Sequence, residues 1–141
     1  MGAANLTVAV STDKQIYRQG EVVQIPLTIQ NQSASPQIFS VGGDTAPVLS
    51  IRQGDQTVFK DSIFCATEAC SDRRTLAPGE SFFSSLFRWN QADLRFGFCS
   101  NGEPCRTVSP GTYQIQVIAT EIDGDTQRRV ASNLITIQIT P

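Results

Sequence analysis

Apolar residues recur at every second position through four stretches of the chain. Leu6, Val8 and Val10 alternate with Thr7 and Ala9, while Val23, Ile25, Leu27 and Ile29 alternate with Gln24, Pro26, Thr28 and Gln30. Tyr113, Ile115, Val117 and Ala119 alternate with Gln114, Gln116, Ile118 and Thr120, and Ile135, Ile137 and Ile139 with Thr136, Gln138 and Thr140. Successive side chains of a strand point to opposite faces, so this period of two predicts antiparallel strands with one oily face each. Weaker runs at 37–41, 48–52, 57–62 and 81–89 bring the expected number of strands to about eight. No long stretch carries the 3.6-residue period of an amphipathic helix; the one helical signal is a short turn at 90–94, which Asn90 would cap.

Turn chemistry falls between these runs. Gln53-Gly54-Asp55-Gln56 reads as a hairpin, and Asp123-Gly124-Asp125 as the link between the last two long strands. Pro78-Gly79 and Pro110-Gly111 each supply the two central residues of a type II turn. Pro26, lacking an N–H, demotes its strand to an edge or places a bulge there. Many short strands of this kind predict an all-β fold, an immunoglobulin-like antiparallel two-sheet sandwich, as a single domain over residues 1–141.

Two connections, about 63–75 and 90–110, are too long for plain turns, and each holds a pair of cysteines. Cys65 and Cys70 bracket four residues, and Cys99 and Cys105 bracket five. Neither spacing is the two-residue gap of a zinc knuckle, so two local disulfides closing two elaborated loops are the simplest pairing. Disulfides imply an oxidising location: secreted, periplasmic or cell surface. The start, Met1-Gly2-Ala3-Ala4, has no basic or apolar leader, which reads as a mature segment with its export signal removed. A net charge of −2 with scattered basic residues gives no reason to expect nucleic acid, and no run is long and apolar enough for a membrane span.

Several of these pieces occur together in an order that resembles the BsuPI family, the intracellular proteinase inhibitor domains of bacteria. They are Tyr17-Arg18-Gln19-Gly20-Glu21 before a strand, Gly42-Gly43, the hairpin at 53–56 and Val58-Phe59-Lys60-Asp61-Ser62. Leu76-Ala77-Pro78-Gly79-Glu80, then Phe87-Arg88-Trp89 and Pro110-Gly111-Thr112-Tyr113, complete the set, which covers roughly residues 5–140. Asp44-Thr45-Ala46-Pro47 stands where such domains carry a Tyr-Asp-Phe stretch, and both cysteine loops are additions. The resemblance implies the immunoglobulin-like fold and, less directly, proteinase inhibition. The stretch from Asp13 to Glu21 is also similar to macroglobulin-type domains.

The chain has no histidine, which removes the commonest general base and metal ligand and rules out Ser-His-Asp and Cys-His arrangements. Paired cysteines leave no thiol nucleophile. A carboxylate pair would have to come from Glu68, Asp72, Glu80, Asp93 or Glu103, which read as solvated loop charges. Asp123-Gly124-Asp125 lacks the further acids of a calcium loop. Asn5-Leu6-Thr7 and Asn31-Gln32-Ser33 match the glycosylation sequon. No catalytic, cofactor or metal residues are therefore expected, and no enzyme. Trp89, Tyr17 and Tyr113 read as core or corner residues.

The candidate binding residues are Arg95, Phe96, Phe98 and Arg106, gathered around the Cys99–Cys105 loop. Aromatic and arginine side chains dominate interface hot spots, and loop closure lowers the ordering cost of binding. The alternative is that both phenylalanines fold under the loop as a satellite core. The expected function is a non-catalytic extracellular module binding a protein partner through disulfide-stabilised loops. Alternatives are a proteinase inhibitor offering Arg73, Arg74 or Arg106 to a protease, or an envelope or pilus accessory pairing through an edge strand.

Overall fold

A computed structural model describes residues 5–41, 46–62 and 73–141. The chain runs β1 (Leu6–Val10), β2 (Ile16–Arg18), β3 (Val23–Gln24), β4 (Leu27–Asn31), β5 (Gln37–Ser40), β6 (Val48–Gln53) and β7 (Gln56–Ser62). It continues through β8 (Arg73–Leu76), β9 (Ser81–Ser84), β10 (Arg88–Trp89), β11 (Gly111–Asp123), β12 (Thr126–Ala131) and β13 (Ile135–Thr140).

The smaller layer is an antiparallel sheet in the order β1-β4-β9, extended by the β3–β10 pair. The larger is organised by β11, whose 13 residues pair along both edges. One edge takes β13 at Gly111–Ile115 and β12 at Ile118–Asp123. The other takes β6 at Gln114–Ile118 and β5 at Glu121 and Ile122. Beyond these lie β7 against β6, β8 against β5, and β2, which runs parallel to β13.

The alternation seen in the sequence sets this arrangement. Leu6, Val8 and Val10, with Val23, Ile25, Leu27 and Ile29, face Leu49, Ile51, Tyr113, Ile115, Val117, Ile137 and Ile139 in one hydrophobic cluster. At about 25 cal/mol per Å² of apolar area removed from water, burial between the layers is the main term holding them together. Trp89 is fully buried in this core, donates its indole N–H to the Ala92 carbonyl at 3.0 Å, and meets the Tyr113 ring edge-on at 5.5 Å. Tyr113 donates its hydroxyl to Ser109 O at 2.6 Å, and Tyr17 donates to Asp13 Oδ1 at 2.5 Å. The turn at Pro78 closes with Glu80 N donating to Ala77 O at 2.9 Å.

Four local expectations change. At Pro26 the ladder is interrupted by a bulge-like step, two residues at 25–26 facing three at 85–87, with Ile25 N still donating to Phe87 O at 3.0 Å; the run splits into β3 and β4, and β4 stays central, not at an edge. The run at 81–89 splits opposite it, into β9 and β10. The turn at Asp123-Gly124 leads into β12, not directly into the last strand, and β12 had been hidden by its polar sequence Thr-Gln-Arg-Arg. Both this hairpin and the β6–β7 hairpin place glycine at φ +60° in the first central position, where a type II′ turn requires it. Residues 73–75, expected in a long loop, are in β8.

Candidate functional site

The segment from Trp89 to Val108 leaves β10, forms an ordered projection, and returns to β11. Its base is fastened by backbone. Ala92 bridges to Thr107, Val108 N donates to Gln91 O at 2.8 Å, and Asp93 N donates to Arg106 O at 2.9 Å. Gln91 locks this base to the body of the sandwich. Its amide Nε2 donates to Arg18 O at 2.7 Å and Glu21 O at 2.9 Å, and its Oε1 accepts from Gly20 N at 3.3 Å. Gln91 is fully buried and holds φ +67°, a left-handed conformation that costs a non-glycine residue free energy and persists only where the surroundings impose it.

Above the base, Leu94–Phe96 makes one 3-10 turn capped by Asp93, not by Asn90 as expected. Asn90 instead accepts from Ala92 N at 3.1 Å, which turns the chain toward Asp93. The Asp93 carboxylate is 2% exposed and receives Arg95 N at 3.1 Å, Arg95 Nε at 2.9 Å and Arg95 Nη2 at 2.6 Å. The hydrogen-bonded Arg95 guanidinium holds the Asp93 carboxyl below its usual range, against the opposing effect of burial. The expectation of a solvated charge at Asp93 is thus wrong. Aspartate is a preferred cap, and its position before Leu94-Arg95-Phe96 was the signal that could have marked it.

The tip is a miniature hairpin. Cys99 and Cys105 are disulfide-bonded, Phe98 bridges to Pro104, Cys99 N donates to Glu103 O at 2.8 Å, and Cys105 N donates to Gly97 O at 3.2 Å. Cys65 and Cys70 lie outside the described residues.

The loop brings three of its four candidate residues, Arg95, Phe96 and Arg106, together. The Arg106 guanidinium stacks over the Phe96 ring at 4.4 Å and that of Arg95 approaches the same ring at 5.7 Å. Phe96 is 48% exposed and Phe98 65% exposed, so neither ring is folded under the loop. Phe98 and Pro104 overhang a groove of about 520 Å³ whose other walls include Val22, Phe59 and Leu94. Asp61, Lys60 and Arg88 supply its charged rim.

Other expected contributors are elsewhere. Arg73 and Arg74 are in β8, where Arg74 lies over the Phe82 ring at 5.2 Å. Glu80 and Glu103 are exposed, and Glu68 and Asp72 lie outside the described residues. Asn31 is a structural staple. It is fully buried, its Nδ2 donates to Ser35 O and Leu76 O, and its Oδ1 accepts from Ser33 N. Among the described residues no three His, Cys, Asp or Glu side chains converge as a metal site would need, and no helix is long and apolar enough to cross a membrane.

No family model matches the chain, and no curated protein does. Solved structures do. A stretch of α2-macroglobulin from Escherichia coli superposes with a TM-score of 0.58 at 16% identity, over 99% of this chain and 17% of that one. The sporulation control protein Spo0M from Bacillus subtilis gives 0.56 at 14% identity, over 99% of this chain and 51% of that one. A CARDB domain from Pyrococcus furiosus, solved in complex with di-metal ions, gives 0.50 at 11% identity, over 96% and 87%. The fold is an immunoglobulin-like β-sandwich. These identities establish fold alone, and the chain spans only 17% of the macroglobulin structure. These likenesses show architecture and assign the chain to neither the BsuPI nor the macroglobulin-type family.

Proposed function

We propose that the chain is a non-catalytic recognition module of an exported or cell-surface protein, docking a protein partner on the loop that Cys99–Cys105 closes. The observation that carries this reading is the pair of exposed rings, Phe96 and Phe98, held out on a loop whose base, cap and tip are each fastened. Exposed aromatics on an ordered loop lose little freedom when covered, so their burial goes mostly into affinity. Arginine beside them favours a partner whose apolar pocket has an acidic rim. A second disulfide between Cys65 and Cys70, and the oxidising compartment both bonds require, belong to the same proposal. The absence of histidine and the commitment of Asp93 to Arg95 support a binding rather than a catalytic role.

Inhibition of a protease would need an arginine presented on an extended loop. Arg74 is in β8 and Arg106 stacks on Phe96, which favours docking on a surface over insertion into a cleft.

The test is quantitative affinity capture from envelope and culture-medium extracts, with wild type compared with Phe96→Ser and Phe98→Ser, beside a panel of serine proteases. A partner retained by wild type and lost from both variants is expected, with no protease inhibited at micromolar concentration. Identical captured sets for all three proteins would overturn the loop as the contact surface. Intact mass after alkylation without reductant should show no modified cysteine; labelled thiols would overturn the oxidising location.

A further inference from the structure

A second concavity lies on the outer face of the larger sheet and shares Lys60 with the groove beside the projecting loop. It has a volume of about 580 Å³ and runs across β7, β6, β11 and β12. Its cations are Arg52, Lys60 and Arg129, all exposed, and among the described residues no carboxylate lines it. The ion pairs among the described residues involve Lys14, Arg95 and Arg128, so none of these three cations has an acidic partner there. Strand register explains why they share a face: Ser50 stands opposite Lys60, Arg52 opposite Thr57, and Thr120 opposite Arg129.

Three cations without an acidic partner among the described residues leave a positive strip on one sheet face of a protein whose net charge is −2. We propose that this groove binds an acidic oligosaccharide, a saccharide chain carrying carboxylate or sulfate groups. The cations are strung out rather than gathered. Arg52 is level with Gln114 and Arg129 with Thr120, so at ~3.4 Å per residue they are about 20 Å apart along β11. That spacing suits a ligand with repeated anionic groups better than one small anion. Ser50, Thr57, Thr120 and Gln127 between them offer neutral donors and acceptors suited to sugar hydroxyls. Val48 and Ile118 give an apolar floor for a ring face. Among the described residues no aromatic side chain lines the groove, so none of them stacks a nucleic-acid base there. Arginine adds planar, two-pronged recognition of carboxylate and sulfate oxygens.

The inference stands apart from the loop reading, because Arg52 and Arg129 belong to this groove alone. Lys60 rims both grooves and is therefore left unchanged. Titration calorimetry at low salt would use a heparin-derived hexasaccharide, an oligogalacturonate, maltohexaose, polyglutamate and oligothymidylate. Binding of at least one charged saccharide is expected, weakened by added salt, with maltohexaose not bound and the other two polyanions at least tenfold weaker. Arg52→Gln and Arg129→Gln should each weaken that binding about tenfold, the worth of one charge-assisted hydrogen bond, with an unchanged circular dichroism spectrum. Four results would overturn the proposal: failure of both charged saccharides at millimolar concentration, equal binding of maltohexaose, polyglutamate or oligothymidylate bound as tightly as the saccharide, or full affinity in the double variant.

Discussion

Replacing Gln91 tests the fastening of the loop and can be worked through from its contacts. The side chain makes three hydrogen bonds to backbone groups of the turn at Arg18–Glu21, in a fully buried setting. At about 1 kcal/mol net for each neutral bond, Gln91→Ala should destabilise the fold by about 3 kcal/mol. Alanine keeps the strain of φ +67°, whereas glycine removes it. Relief of about 1–2 kcal/mol of left-handed strain, less roughly 0.5–1 kcal/mol for the greater freedom of unfolded glycine, leaves Gln91→Gly more stable than Gln91→Ala by about 0.5–1 kcal/mol. At an ordinary position the order is reversed. Urea unfolding followed through Trp89, the sole tryptophan, measures both. The thermal midpoint of the alanine variant should fall by about 10 °C for a domain of this size. An alanine variant within 1 kcal/mol of wild type, or one more stable than the glycine variant, would refute the account.

Two further predictions follow from the same geometry. Cys99→Ser with Cys105→Ser opens a loop of sequence separation 6, for which chain entropy sets a loss of about 2 kcal/mol; amide exchange at positions 99 and 105 should rise sharply, and unchanged protection there would show that the tip does not depend on its disulfide. Both tyrosines should resist ionisation: burial and then the hydrogen bond to Asp13 push Tyr17 up from 10.0 to about 12, and burial raises Tyr113 as well. A raised phenol pKa means the folded chain keeps a proton the unfolded chain releases, so this stability is complete below pH 10 and is lost as pH climbs toward 12. Absorbance at 295 nm of the folded protein should then begin to rise only above pH 10, and a tyrosine titrating near pH 10 in the folded protein would contradict this.

The period-two runs were sufficient to find the long inward-facing strands, because burial on one face leaves a pattern that no other element mimics. They were insufficient for β12 and β8. Both sit at the periphery, hold a single buried apolar residue each, Val130 and Leu76, and take their place through backbone pairing with β11 and β5. The break at Pro26 was signalled, and of its two expected consequences the bulge-like step is present while the edge position is not: the missing N–H is accommodated where β3–β4 and the facing β9–β10 split at the same level. At the loop, residue types marked Phe96, Phe98 and the arginines, since aromatics among turn residues stand out in composition. Gln91 left no trace, because a positive φ at a non-glycine residue is imposed by three distant partners around Arg18 and Glu21. The cationic groove was equally silent. Arg52, Lys60 and Arg129 are far apart in sequence, and only strand register places them on one face.

Register also decides how separable the two proposed surfaces are. The first part of β11, at Gly111–Ile115, is anchored beside the projecting loop, while the groove draws on Ile118 and Thr120 further along the same strand. A rigid strand joins them without obliging one to sense the other; coupling would need an element with two arrangements that both ligands bias. Lys60, which rims both grooves, is the one described side chain placed to act that way. If a charged saccharide and the loop's protein partner compete for Lys60, occupancy of one site should lower affinity at the other, and Lys60→Gln should abolish that effect. If they do not compete, the sandwich is a scaffold carrying two unlinked contacts, and Lys60→Gln changes each affinity separately.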